Sequence, residues 1–160
     1  IRQSYELDGP VYIRLGKQGE PKIHKDDKKI PLGKAIQITR GDDLVLITTS
    51  TMLETGKKWV DEWSDEGISV SLVSMPTIKP FDSEFIENLC KKAIPIITLE
   101  EHNIIGGLGT AVAEIIAESG QKINFKRIGI PDTFSHYVGN SFYQKEKFNL
   151  NKKPKFDINI

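Results

Sequence analysis

The sequence predicts an α/β domain, a mostly parallel sheet with helices on both faces. Apolar runs of five to eight residues recur along the chain, and stretches with helical periodicity separate them. The resulting order, β-β-α-β-α-β-α-β, is that of βαβ units, whose crossovers carry helices onto the faces of a parallel sheet. At 160 residues and 18.0 kDa the chain suits one domain, or one domain with a fragment of a neighbour. That length buries roughly two-thirds of its unfolded surface, enough for a core without staples.

The elements follow in order. "IRQSYELDGPVYIRLGK" reads as a short helical end, a turn at Asp8-Gly9-Pro10 and a strand over Val11–Leu15. From Gly16 to Gly33 the sequence is polar and carries Pro21 and Pro31, an interdomain linker that leaves the first strand orphaned from its own domain. "AIQIT" and "LVLITT" are joined by Arg40-Gly41-Asp42-Asp43, a turn signal short enough for a hairpin that adds one antiparallel strand to the sheet. In "STMLETGKKWVDEWSDEG", Thr51 and Glu54 make a capping box and Gly67 supplies the stop. Met52, Gly56, Trp59, Val60 and Trp63 share one helical face, so the tryptophans read as core.

"ISVSLVSM" is the next strand, ended by Pro76 and Pro80. Asp82 is placed to cap a helix with Phe85, Ile86, Leu89, Cys90 and Ala93 inward and with Lys91 and Lys92 at its C-terminal dipole. "PIITLEE" is a strand, "GGLG" a turn, and "TAVAEIIAES" a helix with Ala111, Val112, Ile115 and Ile116 inward. "INFKRIGI" is the last strand, and beyond Pro131 the chain turns polar and aromatic.

Composition narrows the function. Twenty-two basic residues balance twenty-two acidic ones, and the clusters "KDDKK" and "NKKPK" lie in loop-like sequence, so no nucleic-acid partner is expected. Cys90 is the one cysteine, which fits a reducing, cytoplasmic setting and a buried, inert thiol. His24, His102 and His136 are scattered without ligand spacing, so no metal site is expected from this chain alone. No stretch approaches the roughly 20 apolar residues of a membrane span. The chain begins at Ile1, not Met, and is expected to be a piece of something longer.

The stretch "ITLEEHNIIGGLGTAVAEII" concentrates the chemistry. Glu100, Glu101 and His102 fall where a parallel strand ends, the edge on which α/β domains place their sites, and a carboxylate beside an imidazole suits acid–base work. The structural reading is that Glu100 or Glu101 ties down the glycine turn and the start of the next helix. A strand–glycine turn–helix unit also aims N–H groups at one spot, an anion site for a regulatory small molecule. A dinucleotide site is not expected: Gly107 and Gly109 match the first two positions of G-x-G-x-x-G, but the third falls on Val112.

"DGPVYIRLGK", "GKAIQITRGDDLVLITTSTMLETG", "EGISVSLVSMPTIKPFD" and "TLEEHNIIGGLGTAVAEII", in this order and ending at "RIGIPDTF", resemble the C-terminal part of transketolase from Ile1 to Phe134. "TIKPFD" and "EEHNIIGGLG" are the specific pieces; 1-deoxyxylulose-5-phosphate synthase and the β chains of 2-oxo-acid dehydrogenases carry looser forms. The resemblance implies a thiamine diphosphate enzyme in which the cofactor's carbanion cleaves a ketose and passes a two-carbon unit to an aldose. It implies that residues 1–17 end a pyrimidine-binding domain, 18–33 are linker and 34–134 form a three-layer α/β/α domain on a five-stranded mixed sheet. Residues 135–160 are a tail without clear match, in which His136, Tyr137 and Phe142 are docking residues or a cap.

The resemblance further implies that thiamine diphosphate and Mg²⁺ bind upstream of this chain, between two other domains, in a homodimer or heterotetramer. Glu100, Glu101, His102, Gly106, Gly107 and Gly109 then form a structural corner. The position after the last pyrimidine-domain strand grips the sugar phosphate with an arginine in this family. Here Lys17 stands there, with Arg14 three residues earlier, keeping the charge but losing the bidentate fork. The same resemblance leaves an interaction module of a 2-oxo-acid dehydrogenase β-type chain, or a 1-deoxyxylulose-5-phosphate synthase, as the alternative.

Overall fold

The computed structural model describes residues 3–16, 21–24 and 30–156. Among them are strands β1 (Ile36–Gln37), β2 (Leu44–Thr48), β3 (Val70–Ser74), β4 (Ile96–Asn103) and β5 (Phe125–Ile130). They form a single mixed sheet in the order β1-β3-β2-β4-β5, with β1 antiparallel to β3 and the other pairs parallel. Helix α1 (Met52–Asp65) packs on one face, and α2 (Ser83–Lys91) and α3 (Leu108–Ser119) pack on the other. The expected three-layer α/β/α fold is therefore present.

Continuous apolar runs, not alternating ones, follow from that layering, because a strand covered on both faces buries every side chain. Leu44, Leu46, Leu72, Ile97 and Leu99 join Met52, Trp59, Val60 and Trp63 in the α1-side core. Val45, Ile47, Val73 and Ile96 meet Ile86, Leu89, Cys90, Leu108 and Val112 on the other side. Trp59 and Trp63 pack edge to face with centroids 6.2 Å apart. At Gly56 a Cβ would stand 2.8 Å from the Thr48 methyl and 3.0 Å from Leu72 Cδ1, so the missing side chain lets α1 settle onto β2 and β3.

Several local expectations are overturned. The hairpin does not form: β1 pairs with β3, and β3 lies between β1 and β2. Every residue of β2 is buried, so its two edges go to the apolar strands β3 and β4, and the short half-exposed β1 is left for the sheet edge. Val11–Leu15, expected as a strand orphaned from its own domain, is not part of this sheet and has no strand partner among the described residues, with Tyr12 and Leu15 exposed. The Thr51–Glu54 capping box is absent, because the Thr51 hydroxyl donates to Glu101 instead.

Asp82 does not cap α2 either. Its buried carboxylate accepts from the Ala35 amide at 2.8 Å and from Lys34 Nζ at 3.2 Å, fastening the start of β1 to the β3–α2 connection. Hydrogen bonds to Asp82 and then Glu84 push the Lys34 ammonium up from its ordinary value. Ala93 lies past the helix end at φ 53°, exposed and not on the inward face. The tail forms α4 (Ser141–Lys147), capped by the Asn140 side chain accepting from the Tyr143 amide. After α4, Leu150 enters the α1-side core at 1% exposure, with Phe148 and Phe156 against it.

Candidate functional site

The carboxyl ends of the parallel strands converge on the stretch singled out in the sequence. The β4–β5 register shifts between Leu99 and Asn103. Gly129 of β5 permits the close approach there, since a Cβ on it would lie 2.9 Å from the His102 carbonyl. Neighbouring residues on a strand face opposite ways, and Glu100 and Glu101 accordingly serve opposite sides of the sheet.

Glu100 is 1% exposed, and its carboxylate accepts from the Leu108 amide at 2.7 Å and the Gly109 amide at 2.8 Å. A buried carboxylate persists only where hydrogen bonds replace water, and the positive end of α3 supplies them. Gly107 makes the fit possible, because a Cβ there would be 2.0 Å from Glu100 Oε2. At Gly109 a Cβ would meet Thr98 Oγ1 at 2.8 Å. Gly106 takes φ 78°, and its amide donates to Thr110 Oγ1, which in turn donates to the Ile104 carbonyl. Arg127 donates to that same carbonyl at 3.0 Å.

Glu101 reaches across the other face. Thr51 donates to its carboxylate at 2.7 Å and Ser141 at 3.2 Å, and Lys145 Nζ stands 3.7 Å away. Arg14 Nη1 donates to the Glu101 carbonyl at 2.9 Å. The exposed His102 has its Nδ1 2.8 Å from the Asn103 carbonyl, and neither carboxylate is its hydrogen-bond partner. The carboxylate–imidazole pair that acid–base work requires is therefore not assembled.

The strand order reverses between β2 and β4, the switch point at which open α/β sheets place ligands. Here the Thr51–Glu101 contact ties α1 to β4 at that edge, and a cleft of about 340 Å³ lies to its β5 side, beside Arg14, Glu101, Ile130, Tyr137 and Lys145. Of the other residues singled out, Lys17 lies outside the described residues. Tyr137 packs edge-on to Tyr143 and Phe148, and it, His136 and Phe142 are all exposed. Cys90 is buried. Sequence reasoning missed Thr51, Ser141 and Lys145 as partners of Glu101. The opposite facing of adjacent strand residues was the available signal.

The corner does not fit a diphosphate–metal group. The α3 amides that could cradle a phosphate already hold the Glu100 carboxylate, and no group of His, Cys, Asp or Glu among the described residues could hold a metal ion. No helix of the described residues is long and apolar enough to cross a membrane.

Layering, strand order and a glycine corner filled by its own carboxylate define the class, an α/β/α domain on a mixed sheet. The chain belongs to the transketolase C-terminal domain family, whose model matches residues 33–152, through β1 to α4. It is 35% identical over 146 residues to the 6-deoxy-6-sulfo-D-fructose transketolase subunit of Clostridium sp. (strain MSTE9), covering 91% of this chain and 45% of that one. It is 39% identical over 132 residues to the 1-deoxy-D-xylulose-5-phosphate synthase of Chlorobium phaeovibrioides, covering 81% of this chain and 21% of the synthase. A solved split-gene transketolase, an inactive β4 tetramer, superposes with a TM-score of 0.85 at 31% identity, covering 93% of this chain and 48% of the other. The chain thus spans about half the length of the two transketolase chains and a fifth of the synthase.

Proposed function

We propose that this chain is the C-terminal segment of a thiamine diphosphate-dependent, transketolase-type transferase that moves a two-carbon ketol unit between sugar phosphates. Residues 1–17 end a pyrimidine-binding domain, 18–33 are linker, and 34–134 serve structure and assembly, completed by the tail. Cofactor and Mg²⁺ are held upstream, in the same chain or a separate subunit, within a cytoplasmic dimer or heterotetramer. The isolated chain is folded but inactive.

The observation that carries this reading is the self-satisfied corner: Glu100 spends its carboxylate on Leu108 and Gly109, so the most reactive-looking stretch works as architecture. The subunit-sized relatives support the same division of labour. On this reading the chain contributes to chemistry through Arg14 and Lys17, which grip the substrate phosphate at the start of the linker.

The test is a two-carbon transfer assay on the complete protein with ketose phosphate donor, aldose phosphate acceptor, thiamine diphosphate and Mg²⁺. Turnover that falls at least about tenfold on Lys17→Ala, as expected for loss of a charged phosphate contact, supports both the reaction and the phosphate role. Calorimetry on the isolated chain should detect no thiamine diphosphate binding; stoichiometric binding sinks the division of labour. The 39% identity to a 1-deoxy-D-xylulose-5-phosphate synthase favours a second reading, a synthase or dehydrogenase-type partner, which turnover with a 2-oxo acid donor alone would select.

A further inference from the structure

Apart from Arg14, the groups around the cleft between β4, β5 and the tail have no part in the proposed function. As a ligand receptor the cleft is poorly equipped, because its polar groups bond one another. Gln144 Nε2 donates to the Tyr137 carbonyl at 2.6 Å, Ser135 donates to that carbonyl at 3.2 Å, and Lys145 faces Glu101. Groups so engaged close a surface and do not open one.

What the same contacts build is a strap. Its polar end is Ser141 and Lys145 on Glu101, and its apolar end is Leu150, 1% exposed in the α1-side core. Tyr137 stiffens the middle, edge-on to Tyr143 and Phe148, with Lys147 Nζ 5.4 Å from its ring centre. Under the strap, Glu101 collects four groups from three places in the chain: Arg14, Thr51, and the α4 pair Ser141 and Lys145. The Glu101 and Lys145 side chains are only 18% and 15% exposed, so their attraction is less screened than that of a surface pair.

We propose that Glu101 is a positioning residue: it fastens α4 and the start of α1 against the segment bearing Arg14, so that the tail sets the geometry of the substrate-phosphate arm. The Arg14 guanidinium donates to the Glu101 main-chain carbonyl, and Arg14 and Lys145 line the same cleft. Releasing the carboxylate frees the strap, and with it the Lys145 side of the cleft that Arg14 also lines. This inference rests on the reading of Arg14 and Lys17 as phosphate-gripping residues.

The experiment uses the complete enzyme with Glu101→Ala and, as a milder change outside the core, Lys145→Met. Both should raise KM for a phosphorylated aldose acceptor about fivefold while KM for an unphosphorylated aldehyde moves less than about twofold, the size of a loosened ionic contact. Equal losses with both acceptors, or none with either, overturn the proposal in favour of a purely structural carboxylate. Hydrogen exchange provides the second readout: amides at residues 12–15 should exchange faster together with those at residues 141–148 in both variants. Unchanged exchange at 12–15 overturns the coupling even if the wild type transfers no two-carbon unit, an outcome that by itself would sink only the proposed reaction.

Discussion

At the scale of single residues, Glu100 and Gly107 form one device. The carboxylate accepts two amide hydrogens in a site 1% open to water, and the glycine leaves the space it fills. Glu100→Ala removes two charge-assisted bonds and leaves two inward amides, so urea unfolding should give a loss of about 3 kcal/mol. Gly107→Ala drives a Cβ into the carboxylate and should destabilise on its own. In the double variant the losses should fall well short of additive, because Glu100→Ala removes the carboxylate with which the new Cβ at position 107 clashes. His24 offers a different handle. Burial lowers its imidazole below the ordinary 6.5, and its Nε2 lies 3.4 Å from the Ser74 hydroxyl. The folded chain thus prefers the neutral ring, so this contribution is full above 6.5 and is lost as pH falls through the lowered value. Denaturation midpoints between pH 8 and 5 should therefore fall more steeply for the wild type than for His24→Gln.

At the scale of elements, helices and buried strands were legible and their pairing was not. The face of α1 was readable because Met52, Gly56, Trp59, Val60 and Trp63 recur at helical spacing, and all five are buried. Trp59→Ala should accordingly cost about 4 kcal/mol in equilibrium unfolding, the range for a large core aromatic. The β1–β2 hairpin misled because a short turn signal reports only that the chain reverses. Which strand lies alongside depended on β2 needing apolar neighbours on both edges. Capping residues misled similarly, since Thr51 and Asp82 found partners 50 and 47 positions away in sequence. The helix α4 was invisible because its anchors, Glu101 and the α1-side core, are distant in the chain. Asn140→Ala should cost α4 about 1 kcal/mol, the usual worth of such a cap. That loss should appear as faster amide exchange in residues 141–147, with little movement of the global midpoint.

At the scale of the whole molecule, the surface is uneven. Tyr12 and Leu15 stand 90% and 67% exposed on a domain whose central strands β2 and β3 are fully buried, and Phe134 and Val138 are exposed at 90% and 97%. On the proposed reading the first pair belongs against an upstream domain. Oxidative footprinting should then find Tyr12 protected in the complete protein and reactive in the isolated chain; equal reactivity in both would count against the assignment of residues 1–17. The candidate site was partly legible at this scale, since Glu100 and the glycine corner announced a strand-to-helix turn. The Glu101 cluster was not, because it joins residues from opposite ends of the chain.

The fastening of β1 has a mechanical consequence. On the proposed reading of residues 18–33 as linker, tension passed down it enters the sheet at Lys34, where a two-residue strand, the Lys34 ion pairs with Asp82 and Glu84, and the Asp82–Ala35 bond secure it. Those attachments lie in series with the load and can break in succession, whereas the five-residue central strands behind them must yield together. A pulling trace from the N-terminal side should therefore begin with a small, reversible rip before the main one, absent in Asp82→Ala. The edge strand would then act as a fuse, letting a neighbouring domain tug on this one while its core stays closed.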